Sequence, residues 1–323
     1  MKRSVATALA ILCGTLGVAS PAAAQDWPTK TVRIIVPFGA GSTPDVMARL
    51  LADQLKLKTG QAFIVEDKPG ASGNTGTDAV AKAAPDGTTI GISIGGPLAI
   101  NTLLFAHLPY DPSKDLALIT MLVTQPSALA VNASLGVDSV PALLDLIRKN
   151  PGKYNYGSIG TGSLSQLAME AIALKSGTRL VHVPFPSSPQ AVEALIRNDV
   201  QMVCLPAISI TPQLGSGKIK LLAISTAKRS ALLPGVPTLK EAGVDVEADA
   251  WSGLIAPAGI PAAMVERMNR LVADAITSPA IREKLSAQLM EPIPDTPAEF
   301  RARIDADIAR WKPVIAAANI KIN

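Results

Sequence analysis

The chain has 323 residues, 48% of them apolar and 3% aromatic, with a formal net charge of +4. That is ample apolar mass for a core and length for roughly two domains. The charge excess is small and no Lys/Arg run exceeds two residues, which argues against a nucleic-acid binder with a clustered basic face. With only His107, His182, Cys13 and Cys204 available, a metal site built from His and Cys is not expected either.

Met1-Lys2-Arg3 is a basic start, Val5 to Val18 a short apolar run, and Ala22-Ala23-Ala24 a small-residue cleavage site before Gln25. Together they predict a cleavable export signal over 1–24. The apolar run is too short to span a membrane, and Leu12 before Cys13 does not suit lipid attachment. Cleavage leaves 299 residues, a net charge of about +2 and Cys204 as the single cysteine. No intramolecular disulfide is then possible.

VRIIVPF (32–38) is an apolar, β-rich run, and Met47, Leu50, Leu51 and Leu55 recur at helical spacing across 44–56. FIVED (63–67) predicts a second strand, 76–84 a helix, and TTIGISI (88–94) a third strand after the Asp86-Gly87 turn. This βαβαβ order argues for parallel strands joined by crossover helices. Strands within 116–132 lead across to the same grammar again. A helix is predicted over 140–150, a strand over 153–159, a helix over 165–176, a strand over 179–185 and a helix over 189–199. Strands follow at 200–206, 219–226 and 251–257, and helices near 261–277, 279–289 and 297–318 close the chain. Two such units predict an α/β protein of two lobes facing a cleft, with 25–126 and 250–323 in the first and 127–249 in the second. Ligands of open parallel sheets sit beyond the carboxyl ends of the strands, so the loops after strands are the candidates.

Three of these loops share one device. In PFGAGSTPD (37–45), Thr43 is placed to N-cap a helix with Pro44 at its first position. In YGSIGTGSLSQL (156–167), Ser163 with Gln166 makes a capping-box pattern. In PFPSSPQA (184–191), Ser188-Pro189 repeats the first arrangement. Each helix start offers free N–H groups and the positive end of a dipole, where anions bind readily. Gly39, Gly41, Gly160 and Gly162 admit close backbone approach, and Ser42, Ser158, Thr161, Ser163 and Ser165 add hydroxyls. A neutral cradle of this kind suits a carboxylate without the desolvation cost of a buried cation. Asp45, in the first turn, also serves the helix dipole.

Other chemistries fit less well. Gly39-x-Gly41 has Pro44 where a dinucleotide fingerprint needs its third glycine. No G-x-S-x-G elbow occurs. His182 reads as a satisfied residue within a strand, and Cys204, in VQMVCLP, as a buried inert thiol. No enzymatic activity and no cofactor are expected.

At these loops the chain resembles the Bug or TctC-like solute-binding proteins of tripartite tricarboxylate transporters. The likeness runs through WPTKTVRIIVPFGAGSTPDVMARLLADQL, EDKPGASGNTGTDAVAKAAPDGTT, LPYDPSKDL, NPGKYNYGSIGTGSLSQLA, LVHVPF, ISTAKRSALLPGVPTLKEAG and WSGLIAPAGIP. It implies a two-lobed, type II-like periplasmic-binding-protein fold, each lobe a mixed, mostly parallel sheet flanked by helices. It also implies capture of a small organic carboxylate in the periplasm and delivery to membrane permease subunits. A co-receptor for a sensor kinase is the alternative role; a monomer and no nucleic acid are expected. The family's first-lobe loop maps onto Val36 to Asp45, bringing in Phe38, Gly39, Ala40, Gly41, Ser42 and Asp45; its second-lobe loop maps onto Ser158 to Ser163. Ser93 ends the third strand on the same side. The chain departs from the family at Ser42 for a glycine, Gln166 for a frequent His, and Phe185-Pro186-Ser187 for an aromatic–basic–Gly stretch. Leu205 stands where some relatives carry an acid. Phe185 and Leu205 thus hint at a ligand with an apolar or aromatic body and argue against an amino acid.

Overall fold

The computed structural model describes residues 27–322; the export-signal expectation over 1–24 lies outside them. In chain order the strands are β1 (Val32–Val36), β2 (Phe63–Asp67), β3 (Thr89–Ile94), β4 (Leu116–Gln125), β5 (Ser127–Asn132), β6 (Asn155–Ser158), β7 (Val181–Pro184), β8 (Met202–Pro206), β9 (Ile219–Ile224), β10 (Ala250–Pro257) and β11 (Glu291–Pro292). The helices are α1 (Thr43–Thr59), α2 (Asn74–Ala81), α3 (Asn101–Leu104), α4 (Val140–Arg148), α5 (Leu164–Ser176), α6 (Ser188–Arg197), α7 (Ala207–Ile210), α8 (Ala262–Ile276), α9 (Pro279–Ser286) and α10 (Pro297–Ala317). The long expected elements all form. A π-helical turn (Gly96–Ile100) running into α3, the short α7 and the two-residue β11 were not anticipated.

Two sheets result. One has the order β11-β4-β10-β3-β1-β2, the other β7-β6-β8-β5-β9. Strand β1 lies between β2 and β3, parallel to both. Its Ile34, Ile35 and Val36 are all buried, as expected of a parallel strand covered on both faces. In the first sheet β10 and β11 run against the rest, and in the second only β5 does. The sheets are therefore mixed with one dominant direction, and the crossings explain two of the exceptions, β5 and β10. The dominant strands of both sheets point their carboxyl ends at the cleft. A chain that crosses there enters the other sheet from the cleft side and must run away from it. Strand β5 follows the first crossing after the single residue Pro126, and β10 follows the second. Each is reversed for that reason.

Each sheet has its own core. Trp27, Ile34, Met47, Leu51 and Leu55 pack with Met268 and Val272 in the first; Leu129, Tyr156, Leu167, Ile172 and Met202 pack together in the second. Helix α10, in the segment assigned above to the first lobe, belongs to both. Phe300 and Ile304 join a first-sheet cluster, whereas Trp311, Val314 and Ile315 join the second-sheet core.

Candidate ligand-binding site

A cavity of about 500 Å³ opens where the two sets of strand ends face one another, a size suited to a small molecule. The first sheet contributes Phe38, Ser42, Thr43, Pro44, Ile94 and Gly95; the second contributes Ile159, the 161–165 loop, Ser188, Cys204 and Pro206. The crossings contribute Gln125, Ser127 and residues 249–252, and the C-terminal region adds Asp307 and Ile322. No Lys, Arg or His lines the cavity among the described residues.

The first helix start is offset by one residue from the sequence expectation. Ser42, not Thr43, is the N-cap of α1, with extended backbone (φ −69°, ψ 156°), and Pro44 sits in the first turn. Thr43 and Ser42 are both acceptable caps, and proline is tolerated in either early position, so local pattern does not separate them. Ser187 likewise replaces Ser188 as cap of α6. An N-cap oxygen normally accepts from the second or third helical N–H. Pro44 removes one of these, and Ser42 Oγ is buried with no partner among the described residues. Asp45 closes the loop from behind: Oδ2 accepts from Gly41 N–H at 2.7 Å, and Oδ1 pairs with Arg49 at 2.8 Å. Burial opposes its ionisation, but the Gly41 amide and the Arg49 guanidinium hold the carboxyl below its ordinary value.

At the second helix start Ser163 caps as expected, but the capping box is not closed, because Gln166 reaches the Gly162 amide and not that of Ser163. Ser163 caps α5, accepting from Gln166 N–H at 3.3 Å while donating to Gly160 O at 2.6 Å. The Gln166 side chain reaches back, its Oε1 accepting from Gly162 N–H at 2.7 Å. Its Nε2 then donates to His182 Nδ1 at 3.2 Å, and His182 Nε2 lies 2.6 Å from Ser158 Oγ. An amide nitrogen only donates, so this chain of bonds needs neutral His182 with its proton on Nε2. Burial lowers the His182 pKa and favours that form. Gly162 (φ +77°) holds a left-handed backbone that strains any other residue, and a Cβ there would push aside the side-chain ends of Leu104 at 2.6 Å and Ile322 at 2.7 Å. The Ser158–His182 pair was not visible in the sequence, where the two residues are far apart. Ser158 is fully buried and does not line the cavity, so the pair braces the loop and presents no nucleophile.

Of the expected site residues, Phe38, Ser42, Thr161, Gly162, Ser163 and Ser165 line the cavity. Gly39, Ala40 and Gly41 form the exposed outer turn of their loop. Asp45 and Ser158 act behind the wall. Ser93 is buried 3.1 Å from Thr77 Oγ1. Phe185 packs on Gly157 and Leu205 is fully buried, both with the cluster behind the second sheet. Alternation along β8 turns Cys204 to the cavity side instead. Burial pushes its thiol up to about 12, so it remains a thiol. The apolar wall is therefore built by Phe38, Ile94, Leu164, Pro206 and Trp251, not by Phe185 and Leu205.

The crossings were the missed part of the site. Asp249 pairs with Arg303 at 2.7 Å and with Thr124 Oγ1. Asp307 accepts from Trp251 Nε1 at 2.7 Å and from Arg310 at 2.8 Å, and lies 3.3 Å from Arg303 Nε. Burial pushes the Asp307 carboxyl up against the pull of both guanidiniums. Gln125 and Ser252 stand beside these acids in the wall, and Gln125 Oε1 and Ser252 Oγ are buried without partners among the described residues.

The profile of the tripartite tricarboxylate transporter family receptor, TctC, matches residues 47–320. The chain belongs to this family. BugT of Bordetella pertussis is a TctC relative 33% identical over 316 residues, covering 97% of each chain. Among solved structures, an R. palustris protein with adipate is 34% identical, with TM-score 0.80 over 92% of this chain and 99% of that one. MatC from Rhodopseudomonas palustris with bound malate is 28% identical, with TM-score 0.74 over 90% of this chain and all of its own. These TctC-type structures align over both sheets, so the two-lobed α/β architecture is shared.

Proposed function

We propose that this protein is a periplasmic receptor that captures a small organic carboxylate between its lobes and hands it to a tripartite tricarboxylate-type membrane permease. The observation that carries this reading is the cavity wall. Three helix starts reach it, those of α1, α5 and α6, with the first-turn amides of Leu164 and Ser165 lacking intrahelical partners and, among the described residues, an unpartnered Ser42 hydroxyl and no cationic side chain. Such a wall neutralises an anion through aligned dipoles. Family membership and the adipate- and malate-bound relatives support the ligand class. Capture is binding without turnover, and a monomer suffices because both lobes are in one chain.

A thermal-shift and calorimetric screen of mono- and dicarboxylates tests the reading. A ligand should raise Tm in proportion to RT ln(1 + [L]/Kd), and Trp251, in the wall, should change its fluorescence. Absence of any shift at millimolar carboxylate would reject it. Fractionation with N-terminal sequencing should find the chain outside the inner membrane and starting at Gln25. Deleting the chain should abolish permease-dependent uptake of the same acid.

A further inference from the structure

The cavity wall differs in hydrogen-bonding sense from one end to the other. Donors gather at the helix starts. At the crossing end the one free group whose sense is fixed, Gln125 Oε1, accepts. Gln125 Nε2 donates to Gln288 O at 2.8 Å. That bond fixes the amide orientation, because the flipped amide would set oxygen against oxygen. Oε1 is thus left as a pure acceptor, buried and without a partner among the described residues, on a side chain only 2% exposed. Ser252 Oγ, on a residue 1% exposed in the same wall, is also without a partner among the described residues, but as a hydroxyl it can donate or accept. The neighbouring charges are already matched among themselves: Glu247, Asp249 and Asp307 against Arg303 and Arg310. That set carries three acids to two bases, so it offers a second carboxylate no free cation, and an ammonium would have to compete with the guanidiniums already seated on each acid.

We propose that the far end of the ligand bears a neutral hydrogen-bond donor, so that this protein selects a monocarboxylate with an ω-hydroxyl on a short apolar chain over an α,ω-dicarboxylate. The inference rests on the carboxylate-binding reading above and sharpens it. The carboxylate lies at the helix starts, the chain along Phe38, Ile94 and Trp251, and the hydroxyl donates to Gln125 Oε1. A dicarboxylate would set an anionic oxygen against that oxygen. In this respect the chain would depart from its relative solved with adipate.

Titration calorimetry of the purified full chain with matched alkanoates, ω-hydroxyalkanoates and α,ω-dicarboxylates of four to eight carbons tests this. At the best-fitting length the ω-hydroxy acid should bind about tenfold tighter than the dicarboxylate and tighter than the plain alkanoate. Equal or tighter binding of the dicarboxylate or of the alkanoate overturns the proposal while leaving carboxylate capture intact. No binding by any of the three series overturns both. In Gln125→Met, with its melting profile checked first, the preference for the ω-hydroxy acid over the alkanoate should fall to about one. Persistence of the full preference would overturn the assignment to Gln125.

Discussion

At the β6–α5 turn Ser163 Oγ is engaged three times, by Gly160 O, Ser165 Oγ and Gln166 N–H, and Gln166, His182 and Ser158 brace that loop from behind. At the β1–α1 turn Ser42 Oγ has no partner among the described residues, and the loop is tied by Asp45 and by the Ser42 N–H bond to Gly39 O. Both turns follow a strand of their sheet and open into the same cavity. In one the capping hydroxyl is satisfied before a ligand arrives, and only first-turn amides stay free; in the other the capping hydroxyl itself has no partner among the described residues. Groups of the first kind act mainly on stability, and groups of the second kind act on affinity.

Substitutions at the two turns can break this contrast. Gly162→Val should have the largest effect, about 2 kcal/mol of lost stability, because a β-branched residue is strained at this positive φ and must displace the side-chain ends of Leu104 and Ile322; chemical denaturation measures it. Asp45→Asn should cost about 1.5 kcal/mol at neutral pH through its bonds to Gly41 and Arg49. Since the folded-state pKa of Asp45 is lowered, its contribution is present above the unfolded value near 4 and is lost as pH falls through the folded one. A pH series of melts should show wild type losing stability there relative to the variant. Ser163→Ala should cost about 1 kcal/mol, the usual worth of an N-cap. Ser42→Ala should change stability by less than about 0.5 kcal/mol, since no bond is lost, yet weaken carboxylate binding by up to about tenfold. A Ser42→Ala protein as destabilised as Ser163→Ala would erase the distinction between the turns.

His182 sharpens the contrast by pH. Its folded pKa is lowered by burial, so the bracing it provides is present above the unfolded value near 6.5 and weakens as pH falls below that. Affinity should drop as the pH falls below about 6.5 in wild type and be flatter in His182→Phe.

Features set by short-range pattern were readable in advance. The apolar run at Ile34–Val36, the Ser163–Gln166 spacing and the helical stripe at Met47, Leu51 and Leu55 each depend on neighbours within a few residues. Others depend on information that no local window holds. Whether Cys204 or Leu205 faces the cavity is a question of parity, and one residue of register reverses the answer. Gln125 and Asp249 are brought together by two crossings more than a hundred residues apart in sequence, so nothing near either marked it as a wall residue. The Ser42/Thr43 choice failed for the opposite reason: the local rules permitted both.

Helix α10 is rooted at one end among Phe300 and Ile304 and at the other among Trp311, Val314 and Ile315. Wide gaping of the cleft would pull one of these roots out of its core, exposing a buried tryptophan or phenylalanine to water. The helix therefore works as a strut that limits how far the jaws part. Solutes should reach the interior through a narrow slot, and entry should be filtered by girth before any hydrogen bond is made.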